Sequence, residues 1–272
     1  MKNLIVLFFL FSCTFSITVY GQNYDKLWQL YSDGNFEEVV SLSKNELESN
    51  PNDPNLNSLT GRSLTELQSY NEAVPYLQNV VSNIATDASS KAWALNYLGK
   101  CYFALGEYEK SRNNLVECIE LNATKNATNS SRGWYGVFGF DSYFNGWKTI
   151  ETEHFIFHIQ PNTKIRGLEK FIEEREDAFT KINSYFGSSI PKKTDYFFWN
   201  LNRDAHNVGI EELGYAKPEY CLIHSLCDQS VGHEMTHVIT HHLTMNPKKV
   251  SLINEGTAVH FDQTGLDKLE IA

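Results

Sequence analysis

The chain has 272 residues, of which 42% are hydrophobic and 13% aromatic, so it is long enough for about two domains and too apolar for a disordered protein. Its formal net charge is −10, shared by both halves of the sequence. No basic stripe is present to neutralise phosphates, which argues against nucleic acid as a partner.

The first 21 residues have the pattern of a signal peptide. Lys2 supplies a positive charge, Leu4–Phe11 is almost wholly apolar, and short residues precede a cleavage point between Gly21 and Gln22. We therefore expect an exported protein (periplasmic, cell-surface or secreted) with no transmembrane segment once the signal is removed. Two alternatives stay open: a membrane anchor, although polar residues interrupt the apolar stretch, and lipid attachment at Cys13, which lies in a lipobox-like context.

Four cysteines follow the signal segment: Cys101, Cys118, Cys221 and Cys227. Export would permit disulfides without requiring them, and Cys221 and Cys227 are near enough in sequence to close a small loop. None has C-x-x-C spacing, so a cysteine-ligated zinc site is not predicted.

Residues 22–125 contain a degenerate internal repeat. Three segments align, at residues 34–39, 68–73 and 106–111. Their aromatic residues Phe36, Tyr70 and Tyr108 are 34 and 38 residues apart. Gly61 and Gly99 each lie nine residues before an aromatic residue of this set, where two antiparallel helices are expected to pack too closely for a side chain.

This region resembles tetratricopeptide repeats, and a generic helical bundle is the alternative. In either case apolar residues at spacings of three and four predict helices. The resemblance implies a surface that holds a peptide or a partner protein.

The next segment, 126–147, is predicted to be a linker, because Asn122–Ser131 is polar. Gly133–Trp147 is rich in aromatic residues and is predicted to pack between the two halves, with substrate contact as the alternative.

Residues 148–272 change to a pattern of strands followed by helices, which predicts an α+β domain. The predicted strands are His154–Ile159, Tyr196–Trp199, Gly214–Ala216 and Tyr220–Ile223, and the predicted helices are Leu168–Phe186, about Gln229–Leu243 and about Leu252–Thr264. Gly187 is expected to end the first of these helices.

All nine histidines follow residue 150, and five of them lie between His233 and His260. Within the helical segment that follows Gln229, His233, Glu234 and His237 form an H-E-x-x-H motif. Spacing of four residues places both imidazoles on one helix face, where two nitrogens can bind one metal ion. Glu234 can then take a proton from metal-bound water.

Glu255 follows His237 after 17 residues, in the sequence Asn254-Glu255-Gly256. Two histidines and a glutamate are an established ligand set for catalytic zinc. With this motif the chain resembles the gluzincin metallopeptidases, in particular the aminopeptidase-N type. The preceding repeats and the segment Thr152–Phe155 are similar to bacterial peptidase MA-like proteins. The resemblance implies Zn²⁺ held by His233, His237 and Glu255, with Glu234 as the general base.

Four further residues are candidates for supporting roles. His241 continues the histidine face by one turn and is a possible ligand, a residue lining the substrate groove, or simple helix surface. Asp262 lies on the face of Glu255 and is a candidate hydrogen-bond acceptor for a ligand imidazole, with a solvated carboxylate as the alternative. His260 and Tyr215 are candidate donors to the oxyanion of a tetrahedral intermediate. Metzincins are excluded, because Thr240 and Leu243 stand where that class has glycine and histidine.

The sequence thus predicts a multidomain chain with all-α tetratricopeptide-like helical repeats followed by an α+β zincin-like peptidase domain. Its expected activity is zinc-dependent hydrolysis of peptide bonds in a peptide or protein substrate, with the repeats binding substrate or a partner. The alternative is a catalytically weak or inactive binding protein that acts through its repeats. In larger aminopeptidases a stabilising tyrosine comes well after the third ligand, whereas this sequence has 17 residues after Glu255. Either another residue takes that role, the chain is incomplete, or catalysis is weak, and the last of these favours the alternative.

Overall fold

The structure, a computed structural model, describes residues 24–243 and 251–262. The predicted signal peptide, with Cys13, lies outside these residues. The described chain divides into two compact units. The helical unit comprises residues up to Tyr102 together with Glu109–Ser131, and the sheet unit comprises Phe103–Tyr108 and the residues from Arg132 onward.

In the described chain seven helices precede the first strand: α1 (24–32), α2 (Phe36–Leu47), α3 (Pro54–Glu66), α4 (Tyr70–Ser82), α5 (Ala88–Ala104), α6 (Tyr108–Leu121) and α7 (Lys125–Val137). The aromatic residues of the three aligned segments are the first residues of α2, α4 and α6. Two positions before each of them the backbone has a positive φ, at Gly34, Gln68 and Gly106. This left-handed residue turns the chain into the next helix. No helix in 24–243 or 251–262 is long and apolar enough to span a bilayer.

The paired helices of the helical unit approach closely at two glycines. A Cβ atom on Gly61 would lie 2.6 Å from Cγ of Leu77, and one on Gly99 would lie 2.6 Å from Cγ of Leu115. Both leucines are fully buried. The close helix packing predicted at these glycines is therefore confirmed.

The sheet unit contains a five-stranded mixed sheet. Its strands are β1 (Lys148–Glu151), β2 (Phe155–Ile159), β3 (Thr194–Trp199), β4 (Tyr215–Lys217) and β5 (Leu222–Leu226). Their order in the sheet is β1-β2-β3-β5-β4; the two inner pairings are parallel and the two outer ones antiparallel. The accompanying helices are α8 (Leu168–Phe186), α9 (Asn202–Ala205), α10 (His233–His241) and α11 (Ser251–His260).

Helices α8 and α10 cover one face of this sheet. The buried cluster between them and the strands includes Phe155, Phe157, Tyr196, Phe198, Ile223, Phe179, Ile182, Met235, Val238 and Ile239. On the other face, the rings of Phe144 and Trp147 pack against Phe197 and Trp199. Strand β3 is thus buried on both sides, which explains why its sequence is a continuous apolar run.

The fold class predicted from the sequence is wrong. Tetratricopeptide-like repeats followed by a separate α+β zincin-like domain would require a linker, but α5, α6 and α7 each contain residues of both compact units. The predicted linker 126–147 holds most of α7 and a 3₁₀ turn at Ser142–Phe144. The described chain is instead mostly helical, with one five-stranded mixed sheet.

The polar stretch that became α7 shows why the linker prediction failed. Ala127, Thr128 and Ser131 are buried. The Asn96 side chain donates hydrogen bonds to Oγ of Ser130 (3.1 Å) and Ser131 (2.8 Å). Packing and side-chain hydrogen bonds thus satisfy polar groups that would otherwise favour a loop.

The four cysteines in the described chain are free, including Cys221 and Cys227, which were considered for a small disulfide loop. Cys101, Cys118 and Cys221 are buried. Burial raises the pKa of the Cys101 and Cys221 thiols to about 11, so both are protonated at neutral pH.

Candidate metal centre

Helix α10 places the two histidines of the H-E-x-x-H motif on one face. Met235, Val238 and Ile239 are buried in the core on the sheet side of the helix. His233 and His237 are half-buried, and their ring centroids are 5.0 Å apart. The four-residue spacing therefore produces the arrangement that the sequence predicts.

Gly232 fixes how α11 meets the start of α10. Its N–H donates a hydrogen bond to the carbonyl oxygen of Asp262 (3.3 Å), just beyond the end of α11. A Cβ atom on Gly232 would overlap the carbonyl oxygen of Phe261 and would lie 3.1 Å from Cδ1 of Ile182. Only glycine allows this approach, which brings α11 and Glu255 to the histidine pair.

The three predicted ligands come together in the structure. Nε2 of His233 lies 3.4 Å, and Nε2 of His237 3.6 Å, from Oε2 of Glu255. One ligand atom from each residue lies within 4.8 Å of the others. Two atoms bound to one tetrahedral ion at about 2.0–2.2 Å would be about 3.3–3.6 Å apart. Both nitrogen–oxygen distances fall in this range, so the three residues form a candidate site for a single ion.

The carboxylate of Glu255 is 55% exposed, whereas the side chains of His233 and His237 are 26% and 11% exposed. The cluster thus opens to solvent on the side of Glu255 and is closed on the side of the helix core.

Glu234, the predicted general base, is buried at the start of α10. Burial raises the pKa of its carboxyl group above the ordinary value; His233 opposes this shift and Glu255 adds to it. A carboxylate whose pKa is raised is a better proton acceptor than a solvated one.

The other predicted residues on α10 and α11 are not part of the three-residue cluster. His241 is the last residue of α10 and is half-buried, and its role in lining a groove stays a prediction. His260 is exposed and lies about 140° around α11 from Glu255. The carbonyl oxygen of Asp262 holds Gly232, and an interaction of its carboxylate with a ligand imidazole stays a prediction. The neighbouring His242 is half-buried, with its Nε2 3.0 Å from the carbonyl oxygen of Pro218.

The structure does not bring Tyr215 to the cluster. Tyr215 pairs with His224 across β4 and β5, so both side chains lie on the same face of the sheet. Nε2 of His224 donates to the carbonyl oxygen of Val137, whereas the adjacent Ile223 packs with α10. Tyr215 therefore lies on the face opposite α10, and its predicted role as an oxyanion donor is not supported by its position.

Two features of the site were missed in the sequence. One is Gly232; its position directly before the motif was the available signal. The other is the segment before α10, where the Gln229 side chain accepts hydrogen bonds from Leu226 N and Ser225 Oγ and donates to the Leu213 carbonyl. These bonds connect the end of β5 to Leu213, which lies shortly before the edge strand β4. A lone glutamine carries no signal for this role.

No protein-family model matches the chain, and neither the curated proteins nor the solved structures contain a match to it.

Proposed function

We propose that this protein is a zinc-dependent peptidase, with His233, His237 and Glu255 holding the metal and Glu234 acting as the general base. The observation that carries the proposal is the convergence of both imidazole Nε2 atoms on one carboxylate oxygen, Oε2 of Glu255, at 3.4 and 3.6 Å. A purely structural zinc site usually has four protein ligands, whereas three leave a position for water. This ligand set is the one that the resemblance to gluzincins implies.

In the proposed reaction, the residues of the site would have the following roles. Bound zinc supplies a Lewis acid for the substrate carbonyl and lowers the pKa of a water molecule. Glu234 accepts the proton of the attacking water and returns it to the departing amine nitrogen. The new C–O bond forms first, and the C–N bond then breaks as the amine leaves with the returned proton, so one water is consumed for each peptide bond. His233, His237 and Glu255 keep their positions throughout.

The edge of the sheet supports a peptide as the substrate. Helix α10 packs against β4, the strand at one edge of the sheet. No strand within 24–243 or 251–262 pairs with the outer side of β4. Its free backbone groups can hydrogen-bond an extended peptide, and such pairing is independent of side-chain sequence.

The test separates metal binding from chemistry. Zinc stoichiometry and hydrolysis of a mixed peptide library are measured for the wild type, Glu234→Gln and Glu255→Gln. Glu234→Gln should keep its zinc and lose turnover by about 10²–10⁴-fold, because it retains shape and loses basicity. Glu255→Gln should bind zinc more weakly, with activity partly restored by excess metal.

His206→Ala is the matched control, since this exposed histidine in the 3₁₀ turn His206–Val208 lies outside the cluster. It should change neither zinc content nor rate. Wild-type protein that binds no zinc would refute the metal site. Zinc binding without hydrolysis of any library member would refute the peptidase and favour a binding protein.

A further inference from the structure

A second chemically distinctive cluster lies in the helical unit, around Arg62 of α3. Its guanidinium carbon lies 4.6–5.3 Å from the centroids of four aromatic rings, within the reach of cation–π attraction. Two of the rings come from α1 and two from α5: Trp28, Tyr31, Trp93 and Tyr97. Three helices therefore contribute to one cationic, aromatic surface, which we call the Arg62 site.

The hydrogen-bond donors of Arg62 are not matched by acceptors. A guanidinium carries five N–H donors. In the described part of the chain Arg62 makes no hydrogen bond and no ion pair, and its Nε is buried without a partner. Ring faces attract the charge but provide no lone pair that could accept these donors. An acceptor supplied by a ligand would satisfy them.

Glu66, whose carboxylate contacts Tyr97 of this cluster, already accepts other donors. Oε1 of Glu66 accepts hydrogen bonds from the hydroxyl of Tyr97 (2.9 Å) and from Nζ of Lys100 (3.5 Å). The Tyr97 hydroxyl also lies 2.8 Å from that of Tyr31. Arg62, Lys100 and Glu66 together carry a net charge of +1, which matches a ligand with a single negative charge.

The aromatic rings beside Arg62 indicate which chemical group the negatively charged ligand carries next to its charge. Trp28 is 43% exposed, and its ring stacks on Tyr31 with centroids 5.6 Å apart and an interplanar angle of 21°. Trp93 is half-buried on the α5 side. The rings beside Arg62 thus offer flat aromatic faces, which favour an aromatic or large apolar group in a ligand that binds there.

We propose that the Arg62 site binds a carboxylate carried next to an aromatic or large apolar side chain, as at the C-terminus of a peptide that ends in such a residue. The carboxylate accepts the N–H donors of Arg62 side by side, since the planar guanidinium matches a carboxylate in shape. The neighbouring side chain stacks on Trp28 and Trp93. This binding site is separate from the proposed peptidase activity and does not depend on it.

The experiment is an NMR titration of the full chain that follows the indole N–H signals of Trp28 and Trp93. The probes are N-acetylphenylalanine, its uncharged C-terminal amide, and phenyl phosphate. N-acetylphenylalanine should shift both signals saturably, and the amide should bind about tenfold or more weakly, because the charge-assisted hydrogen bonds are lost. Phenyl phosphate should bind more weakly than the carboxylate, since its second charge is unmatched.

Variants assign the effect to the site. Arg62→Gln should weaken N-acetylphenylalanine binding about tenfold or more, and Arg62→Lys should restore only part of it. Lys44→Gln is the matched control, since it removes a positive charge of the helical unit that pairs with Glu72. Should Arg62→Gln fail to fold in a thermal melt, Trp28→Ala removes an exposed wall instead, and binding followed at Trp93 should weaken. The proposal is overturned by equal binding of acid and amide, by tighter binding of phenyl phosphate, by unchanged binding in these variants, or by no saturable shift.

Discussion

Gly232 lies where the helix that carries the two histidines meets the end of α11. In Gly232→Ala the new methyl group would overlap the Phe261 carbonyl, so the backbone must move and the hydrogen bond to Asp262 is strained. We expect a loss of about 1–3 kcal/mol in stability, typical of overpacking, together with weaker zinc binding. Thermal melts and zinc titrations measure both effects.

Gly256→Ala is the control for this prediction. Gly256 is also helical and next to Glu255, but a Cβ there meets nothing within 4 Å. Alanine should leave zinc affinity unchanged and stability equal or slightly higher. Equal melting temperatures for the two variants would show that the contact at Gly232 is unimportant.

Asp195, at the start of β3, is a buried carboxylate with three donors. It accepts hydrogen bonds from His158 Nε2 (3.0 Å), Lys192 Nζ (2.6 Å) and the Tyr108 hydroxyl (2.8 Å). Burial alone would raise the pKa of Asp195, but Lys192 and His158 outweigh it and hold the pKa below the ordinary value. The carboxylate is thus stabilised in its charged form.

A lowered pKa sets the sign of the pH dependence. The contribution of Asp195 is fully present above the unfolded pKa of about 3.9 and is lost as the pH falls through the lower folded pKa. Asp195→Asn leaves Lys192 buried without its counter-charge, so we expect a loss of about 3–5 kcal/mol at pH 7 and a shallower fall in stability below pH 4. Urea unfolding at pH 7, 5, 4 and 3 tests this. Asp177→Asn, an exposed change on α8, should have little effect, and a similar loss there would count against the account.

At the residue scale, helical spacing made part of the candidate site predictable. His233 and His237 share a face because they are four residues apart, and Glu255 was placed by a second motif at a helical position. Tyr215 could not be placed, because the face of a strand residue depends on its pairing with His224, which the sequence does not reveal.

At the scale of elements, the helical unit depends on its two close helix crossings. Gly61→Ala puts a methyl group 2.6 Å from Cγ of Leu77 and 3.2 Å from its backbone nitrogen, so the pair must separate. We expect a loss of about 1–3 kcal/mol, although alanine favours helix. Circular dichroism during urea unfolding measures the change.

Gly133→Ala in α7 is the comparison, because a Cβ there meets nothing within 4 Å and the residue is exposed. That variant should gain up to about 1 kcal/mol from helix propensity. A gain in Gly61→Ala as well would mean that α3 and α4 separate without cost.

Elements with strong periodicity were predicted well, and those set by tertiary contacts were not. Helix α8 was predicted with its observed bounds, and Gly187 adopts the left-handed conformation that ends it. The helix predicted from Gln229 begins only at His233, because Gln229 is held by β5 and Leu213. Strand β1 was missed because it is exposed at the sheet edge, and the parallel pairing of β3 with β2 and β5 has no local signature.

For the whole molecule, the compact units predict how a truncated chain behaves. A fragment of residues 22–126 ends inside α7 and lacks Ala127, which is buried, and the two serines that accept hydrogen bonds from Asn96. A fragment of residues 22–137 keeps them. We expect both to be helical, with a lower melting temperature and a less cooperative melt for the shorter one. Thermal circular dichroism compares them, and identical melts would show that α7 adds nothing to the helical unit.

Residues 103–108 belong to the sheet unit, although they stand between two stretches of the helical unit. The ribosome therefore releases a piece of the second unit before the first is finished, and the helical unit can be completed only after residue 131 has left the exit tunnel. The same order constrains recombination between genes. A single crossover at any point separates at least one unit from part of its own sequence. To exchange either unit intact, recombination would need two more breakpoints, one on each side of residues 103–108, in addition to the one after residue 131.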